Sequence, residues 1–195
     1  ESRESQKRVK AAMTLPDGKS LADVLSASEM EAVNTYMKQT IGMDLTNPLL
    51  KKEMGSLTPA ALATQLQLLQ YIKMTPGFNP MKLIDAYFQK AAVKAKKPVI
   101  GFETVDFQIN LLYESVTLER GKQQLFCMIE NCEYYALQMQ EIAAAYFSQD
   151  MDVIAEIAEE KMGNMCDSTP EEDEALIYAR NADWAEKIPS IVAGK

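Results

Sequence analysis

Residues 98–103, Pro98-Val99-Ile100-Gly101-Phe102-Glu103, carry the one clear β-strand pattern in a chain that otherwise reads as a run of capped helices. The pattern ends on a carboxylate and passes into helical sequence at Thr104. A strand-to-helix junction is where folds with both element types tend to place polar functional groups. That single strand, set among helices on both sides, makes the chain mainly α. One or two short strands are expected, as in a piece of an α+β fold.

The helices announce themselves by their starts. Thr58-Pro59 and Thr169-Pro170 place a capping hydroxyl before a proline at the first helical position. Asn47-Pro48 does the same with an amide. Ser20, Ser26 and Ser28 are candidate caps for helical sequence running to Gly42, and the Ser28/Glu31 spacing fits a capping box. Asp150 begins a helix that ends by Gly163, and Met81 to about Lys96 forms another. The last helix stops before Pro189. Leu118, Leu125, Cys132, Met139 and Tyr146 recur every seven residues, with Ile129, Ala136 and Ala143 on the alternate seam. This predicts one helix from Ser115 or Thr117 to Ser148, about 45 Å long, as one arm of a long antiparallel helical hairpin. No internal linker or repeat stands out, so residues 1–195 read as one domain.

Charge narrows the function. A net charge of −8 opposes nucleic-acid binding, which needs a basic face for phosphates. No apolar run reaches the ~18–20 residues of a membrane span, and the polar start, Glu1 to Gln6, is no signal peptide. Cys127, Cys132 and Cys166 are odd in number and irregular in spacing, so they read as structural or free thiols. Met128, Met139, Met151, Met162 and Met165 read as core filling. The acidic run Glu171–Glu174 is a solvated first turn favoured by the helix dipole. The chain has no histidine, which removes the commonest general base near neutral pH and the commonest metal ligand.

Two groups remain for chemistry. Glu103, at the strand end, could act as a base, a metal ligand or an anchor for a cation; it could equally cap the next helix. Gln108 is placed to orient it. Arg180, one of four arginines among 20 basic residues, lies four residues before the only tryptophan, Trp184. It could stack on that ring with Asp183 nearby, or clamp a carboxylate such as Glu103. Asn181 adjoins it.

Gly101-Phe102-Glu103-Thr104 with Gln108, followed later by Arg180-Asn181-Ala182-Asp183-Trp184, resembles the TraB/GumN family. That family carries a Gly-x-Glu-Thr…Gln segment and then an Arg-Asn-x-x-Trp/Met helix. The resemblance implies an α/β core with a large helical portion and kinship with Tiki-like proteins, some of them metal-dependent proteases. It implies Glu103 and Arg180 as catalytic-site residues, with Gln108 and Asn181 as binding residues beside them. The family's two Gly-x-x-His metal motifs have no counterpart here. The chain therefore reads as the middle of such a protein, with Ile191–Lys195 approaching a strand that leads to the second motif. A divalent metal belongs to the complete protein, and none is expected in this chain unless Glu103 contributes. The partners implied are N- and C-terminal segments of the same protein and a peptide substrate, with homo-oligomers left open. An extracytoplasmic or membrane-anchored location is implied for the complete protein. The competing class is a helical interaction module without chemistry. Two observations separate them: Glu103 and Arg180 must share a cleft for the first, and an exposed apolar hairpin face favours the second.

Overall fold

A computed structural model of the chain describes residues 3–193; Glu1, Ser2, Gly194 and Lys195 lie outside the described residues. Helices dominate, and no strand occurs among the described residues beyond an isolated antiparallel bridge, Thr14 to Leu57. The structure divides into two compact units. Among the described residues, one comprises 3–76 and 116–167, the other 77–115 and 168–193.

The first unit contains α1 (Arg3–Ala12), α2 (Leu21–Val24), α3 (Ala27–Ile41), α4 (Pro48–Met54) and α5 (Pro59–Met74). Thr58 accepts a hydrogen bond from the Ala61 amide, and Asn47 accepts from Leu49 and Leu50, as their cap positions require. The capping box of α3 is formed by Ser26 and Glu29 rather than Ser28 and Glu31. The helix starts two residues earlier because Ser26 is the last residue with extended backbone. Gly42 closes α3 in the left-handed conformation that glycine adopts without penalty.

Helix α5 is the spine of this unit. Leu62 and Leu66 are fully buried, together with Val33 and Met37 of α3 and Leu125 of α8 (Leu118–Glu130). Gly121 lets α8 approach closely: a Cβ there would lie 3.0 Å from the Ala60 amide nitrogen. A polar strut crosses the core. The Tyr36 hydroxyl donates to Gln70 Oε1 (3.1 Å), and Gln70 Nε2 donates to the Cys132 carbonyl (2.9 Å). These contacts, Ala60 near Gly121 and Gln70 near Cys132, run α5 and α8 in the same direction.

The predicted single arm is therefore two helices. α8 ends at Asn131, whose side chain donates to the Cys127 carbonyl (2.9 Å), and α9 (Cys132–Ser148) starts anew. The break is in the backbone of Asn131 (φ −111°, ψ 28°), although its amide still donates to the Cys127 carbonyl (3.0 Å) and its carbonyl still accepts from the Tyr135 amide (3.1 Å). The antiparallel hairpin is shorter than expected and lies elsewhere: α9 returns as α10 (Met151–Glu159), with Gln138 reaching the Ile157 carbonyl and Tyr135 reaching Met162. The heptad stripe is buried at Leu125 but exposed at Tyr146, 64%, beside Phe147 at 84%. Met128 is in the core, whereas Met151 and Met165 are exposed.

Cys127 and Cys166 form a disulfide, leaving Cys132 as the free thiol. Their pairing was hidden by a separation of 39 residues. It fastens the loop after α10 to α8. Arg120 reinforces it by donating to the carbonyls of Met165 and Asp167 (both 2.8 Å), and the Asp167 carboxylate accepts from the amides of Met162, Gly163 and Asn164.

The second unit holds α6 (Ile84–Lys94), α7 (Val105–Ile109), α11 (Pro170–Asp173) and α12 (Ala179–Ala193). A π turn extends α7 through Asn110–Glu114, and another, Glu174–Tyr178, joins α11 to α12. Thr169 and Glu172 form the expected capping box. α12 runs through Pro189 instead of stopping before it, so Ile191–Ala193 are helical rather than the approach to a strand. Residues 98–103 are irregular, because among the described residues no neighbouring strand pairs with them.

Leu66→Ala or Leu125→Ala is expected to lower the unfolding free energy by about 2–5 kcal/mol in urea titrations, and Phe147→Ala by less than about 0.5 kcal/mol. Thiol titration of the denatured, unreduced chain should return one free thiol, rising to three after reduction.

Candidate functional site

Thr104 caps α7 by accepting from the Phe107 amide (3.1 Å), which fixes where the 98–103 segment meets the helix. Glu103 is consequently held just outside the cap, with a side chain only 6% exposed. Opposite it, the π turn at Glu174–Tyr178 rephases the helix immediately before Arg180. Single π turns of this kind recur at functional sites, where they re-aim one residue.

The two side chains meet. Arg180 Nε donates to Glu103 Oε1 at 2.6 Å, and Nη2 donates to Oε2 at 2.9 Å, a bidentate fork. Nη1 donates to the Leu176 carbonyl (3.1 Å). Gln108, one turn into α7, donates to Glu103 Oε2 at 3.1 Å. The guanidinium also lies 5.0 Å from the centre of the Trp184 ring, which stacks on Phe102 at 6.0 Å. Arg180 thus both stacks and clamps; the two roles share one geometry. Asp183 pairs with Lys187 rather than with Arg180, and Lys187 also donates to the Phe102 carbonyl (3.0 Å).

Electrostatics follow from this. The Arg180 hydrogen bonds hold the Glu103 carboxyl below its ordinary 4.5 against the opposing effect of burial, with Gln108, the Arg180 charge and the nearby Trp184 indole adding to them. Arg180 is raised in turn, chiefly by its hydrogen bonds to Glu103. The Trp184 indole nitrogen is buried and makes no hydrogen bond among the described residues.

A cavity of about 400 Å³ opens beside the fork, lined by Phe102, Glu103, Thr104, Phe107, Ala179, Arg180, Asp183 and Lys187. Its walls are the two phenylalanines and Ala179, and its charged groups are already paired with one another. Of the four residues expected at the site, Glu103, Arg180 and Gln108 come together. Asn181 is exposed, with no side-chain hydrogen bond among the described residues. Lys187 and Phe107 were missed. The spacing of Arg180, Asp183 and Lys187, three and then four residues apart on one helix face, was the available signal for Lys187.

These residues do not fit a metal ion. Among the described residues, no group of three or more histidine, cysteine, aspartate or glutamate side chains converges. Both Glu103 oxygens already accept from Arg180, and a guanidinium in contact with the carboxylate opposes a second cation there.

A sequence model of the TraB/PrgY/gumN family matches residues 1–195. The chain belongs to the TraB/PrgY/gumN family. No curated protein and no solved structure matches it. Within this TraB/PrgY/gumN chain, the two motifs that carried the resemblance are the two halves of one ion pair, 77 residues apart in sequence.

Because the folded Glu103 carboxyl titrates below its ordinary value, its contribution to stability is complete above about pH 4.5 and is lost as pH falls further. Glu103→Ala should therefore cost about 2 kcal/mol at pH 7. Denaturant titrations from pH 7 to pH 3 should show that difference shrinking only at the acid end.

Proposed function

We propose that this chain is the helical portion of a TraB/GumN-type hydrolase, shaping one wall of a cleft that receives a peptide or a similar substrate. The observation that carries this is the bidentate Glu103–Arg180 fork, supported by Gln108 and set at the edge of a cavity of about 400 Å³. Glu103 is a positioning residue in this reading. A carboxylate with a lowered pKa and both oxygens engaged is a poor base, but it is a firm anchor for a guanidinium. Arg180, which lines the cavity, presents positive charge where a substrate carbonyl or a developing oxyanion can use it. Phe102 and Phe107 offer apolar wall to a substrate side chain. Any metal would be held by groups outside these residues, in the complete polypeptide.

A specific observation favours the second reading, a helical interaction module. The hairpin of α9 and α10 leaves Leu137, Tyr146, Phe147 and Met151 more than 60% exposed, which is costly unless something covers them. The two readings are compatible if the hairpin docks elsewhere in the complete protein.

The intact gene product, assayed for peptidase activity with added divalent metal and with chelator, decides between them. Metal-dependent cleavage is expected, with kcat lowered about 100-fold by Glu103→Gln or Arg180→Lys and KM little changed, since a misplaced positioning group costs on that order. An intact protein without activity leaves the interaction module standing alone.

A further inference from the structure

Charge is segregated along this chain, and two exposed helical surfaces carry its opposite halves. Between Lys122 and Lys161 no basic residue occurs, while acidic residues recur through α9 and α10. Residues 82–97 are the reverse, with five lysines and the single acid Asp85. On α10, Met151, Ala155 and Ala158 form a stripe by their spacing, and Asp152, Glu156 and Glu159 form a row one position on from it; all six are exposed. Just before the α9–α10 turn, Tyr146 and Phe147 are exposed too, with their rings in edge contact.

α6 repeats the arrangement with the sign reversed. Ile84, Phe88 and Ala91 form its stripe, and Tyr87, Lys90 and Lys94 the row one position before it, all exposed. No residue of this helix is buried. A hollow of about 540 Å³ at its start is lined by Met81, Lys82, Leu83, Ile84, Tyr87 and Lys90. Among the described residues, neither Lys90 and Lys94 nor Asp152, Glu156 and Glu159 form an ion pair. Each surface therefore joins an open apolar stripe to an unneutralised row of one sign.

We infer that α6 of one copy of this chain docks on the α9–α10 hairpin of a second copy, with the lysine row beside the acid row and Phe147 filling the hollow at the start of α6. The inference rests on the interaction-module reading, whose partner it names, and is independent of the hydrolase reading. Charge complementarity selects the occupant. Two hairpins face to face would set acid against acid, and two α6 helices lysine against lysine, so only the unlike pair gains. An aromatic side chain seated in a pocket and ringed by polar groups is where the binding energy of an interface concentrates. Because the two surfaces differ, the contact is heterologous, and it either closes a ring or continues from copy to copy.

Sedimentation velocity of the 195-residue chain, from about 1 to 100 μM, tests this without reference to activity. Mass should rise with concentration, and the association should weaken at about 1 M salt, where the Debye length is about 3 Å. Charge reversal supplies the decisive arm. Lys90→Glu with Lys94→Glu, or Glu156→Lys with Glu159→Lys, should each weaken self-association about 10–100-fold, since like charges then face each other. The two variants mixed together, or all four changes in one chain, should restore it, and that recovery shows that the variants are folded. Failure of either recovery overturns the inference, as does association that strengthens with salt. Association lost only with the hairpin pair overturns the inference and keeps the interaction module; association lost with neither pair, or only with the α6 pair, overturns both. A wild-type chain that stays monomeric also overturns the inference, whether α6 then rests on its own chain or, as co-sedimentation with phosphatidylserine vesicles would show, on a membrane.

Discussion

One ion pair organises the unit that carries the candidate site. Glu103 and Arg180 lie on segments far apart in sequence, and their fork brings the end of residues 98–103 onto α12. The neighbouring contacts build outward from it: Gln108 from the side, the Trp184 ring against the guanidinium, Phe102 against that ring, and Lys187 on the Phe102 carbonyl. A partly buried charge pair of this kind is stabilising only when its geometry is good and its remaining groups are bonded, and both conditions are met. The unit otherwise buries little, with Ile109 its one fully enclosed apolar side chain among the described residues. Polar geometry, more than an apolar core, sets the shape of the cleft.

The other unit rests on different physics. Its stability comes from side chains of α3, α5 and α8 that exclude water, with Gly121 permitting close approach and the Tyr36–Gln70 strut setting orientation. The disulfide and Arg120 hold the loop after α10, where there is little apolar area to do so.

Local signals were legible in the sequence and distant ones were not. Thr58, Asn47, Asp150 and Thr169 cap helices as read, because a cap depends only on the next three residues, whereas the helix after Glu103 is capped by Thr104 and not by Glu103. The break at Asn131 was concealed by an apolar repeat that continues across it, and the parallel course of α5 and α8 is set by tertiary packing. Cys127 and Cys166 meet through a fold that spacing does not encode. Pro189 stays inside α12, although an interior proline lacks the amide for the ladder and crowds the carbonyl one turn back. Residues 98–103 have the composition of a strand but no partner, and strand structure is a property of the pair. At the site, Glu103, Gln108 and Arg180 were readable from their motifs together, whereas Phe107 and Lys187 carry no signature beyond helical spacing.

The direct measurement of the central interaction is a double-mutant cycle in urea at pH 7, using Glu103→Ala, Arg180→Ala and the pair together. Coupled groups in contact give a non-additive term of about 1–3 kcal/mol, which is the result expected here. Additive effects, with no coupling between the two positions, would contradict a fork that joins Glu103 to Arg180.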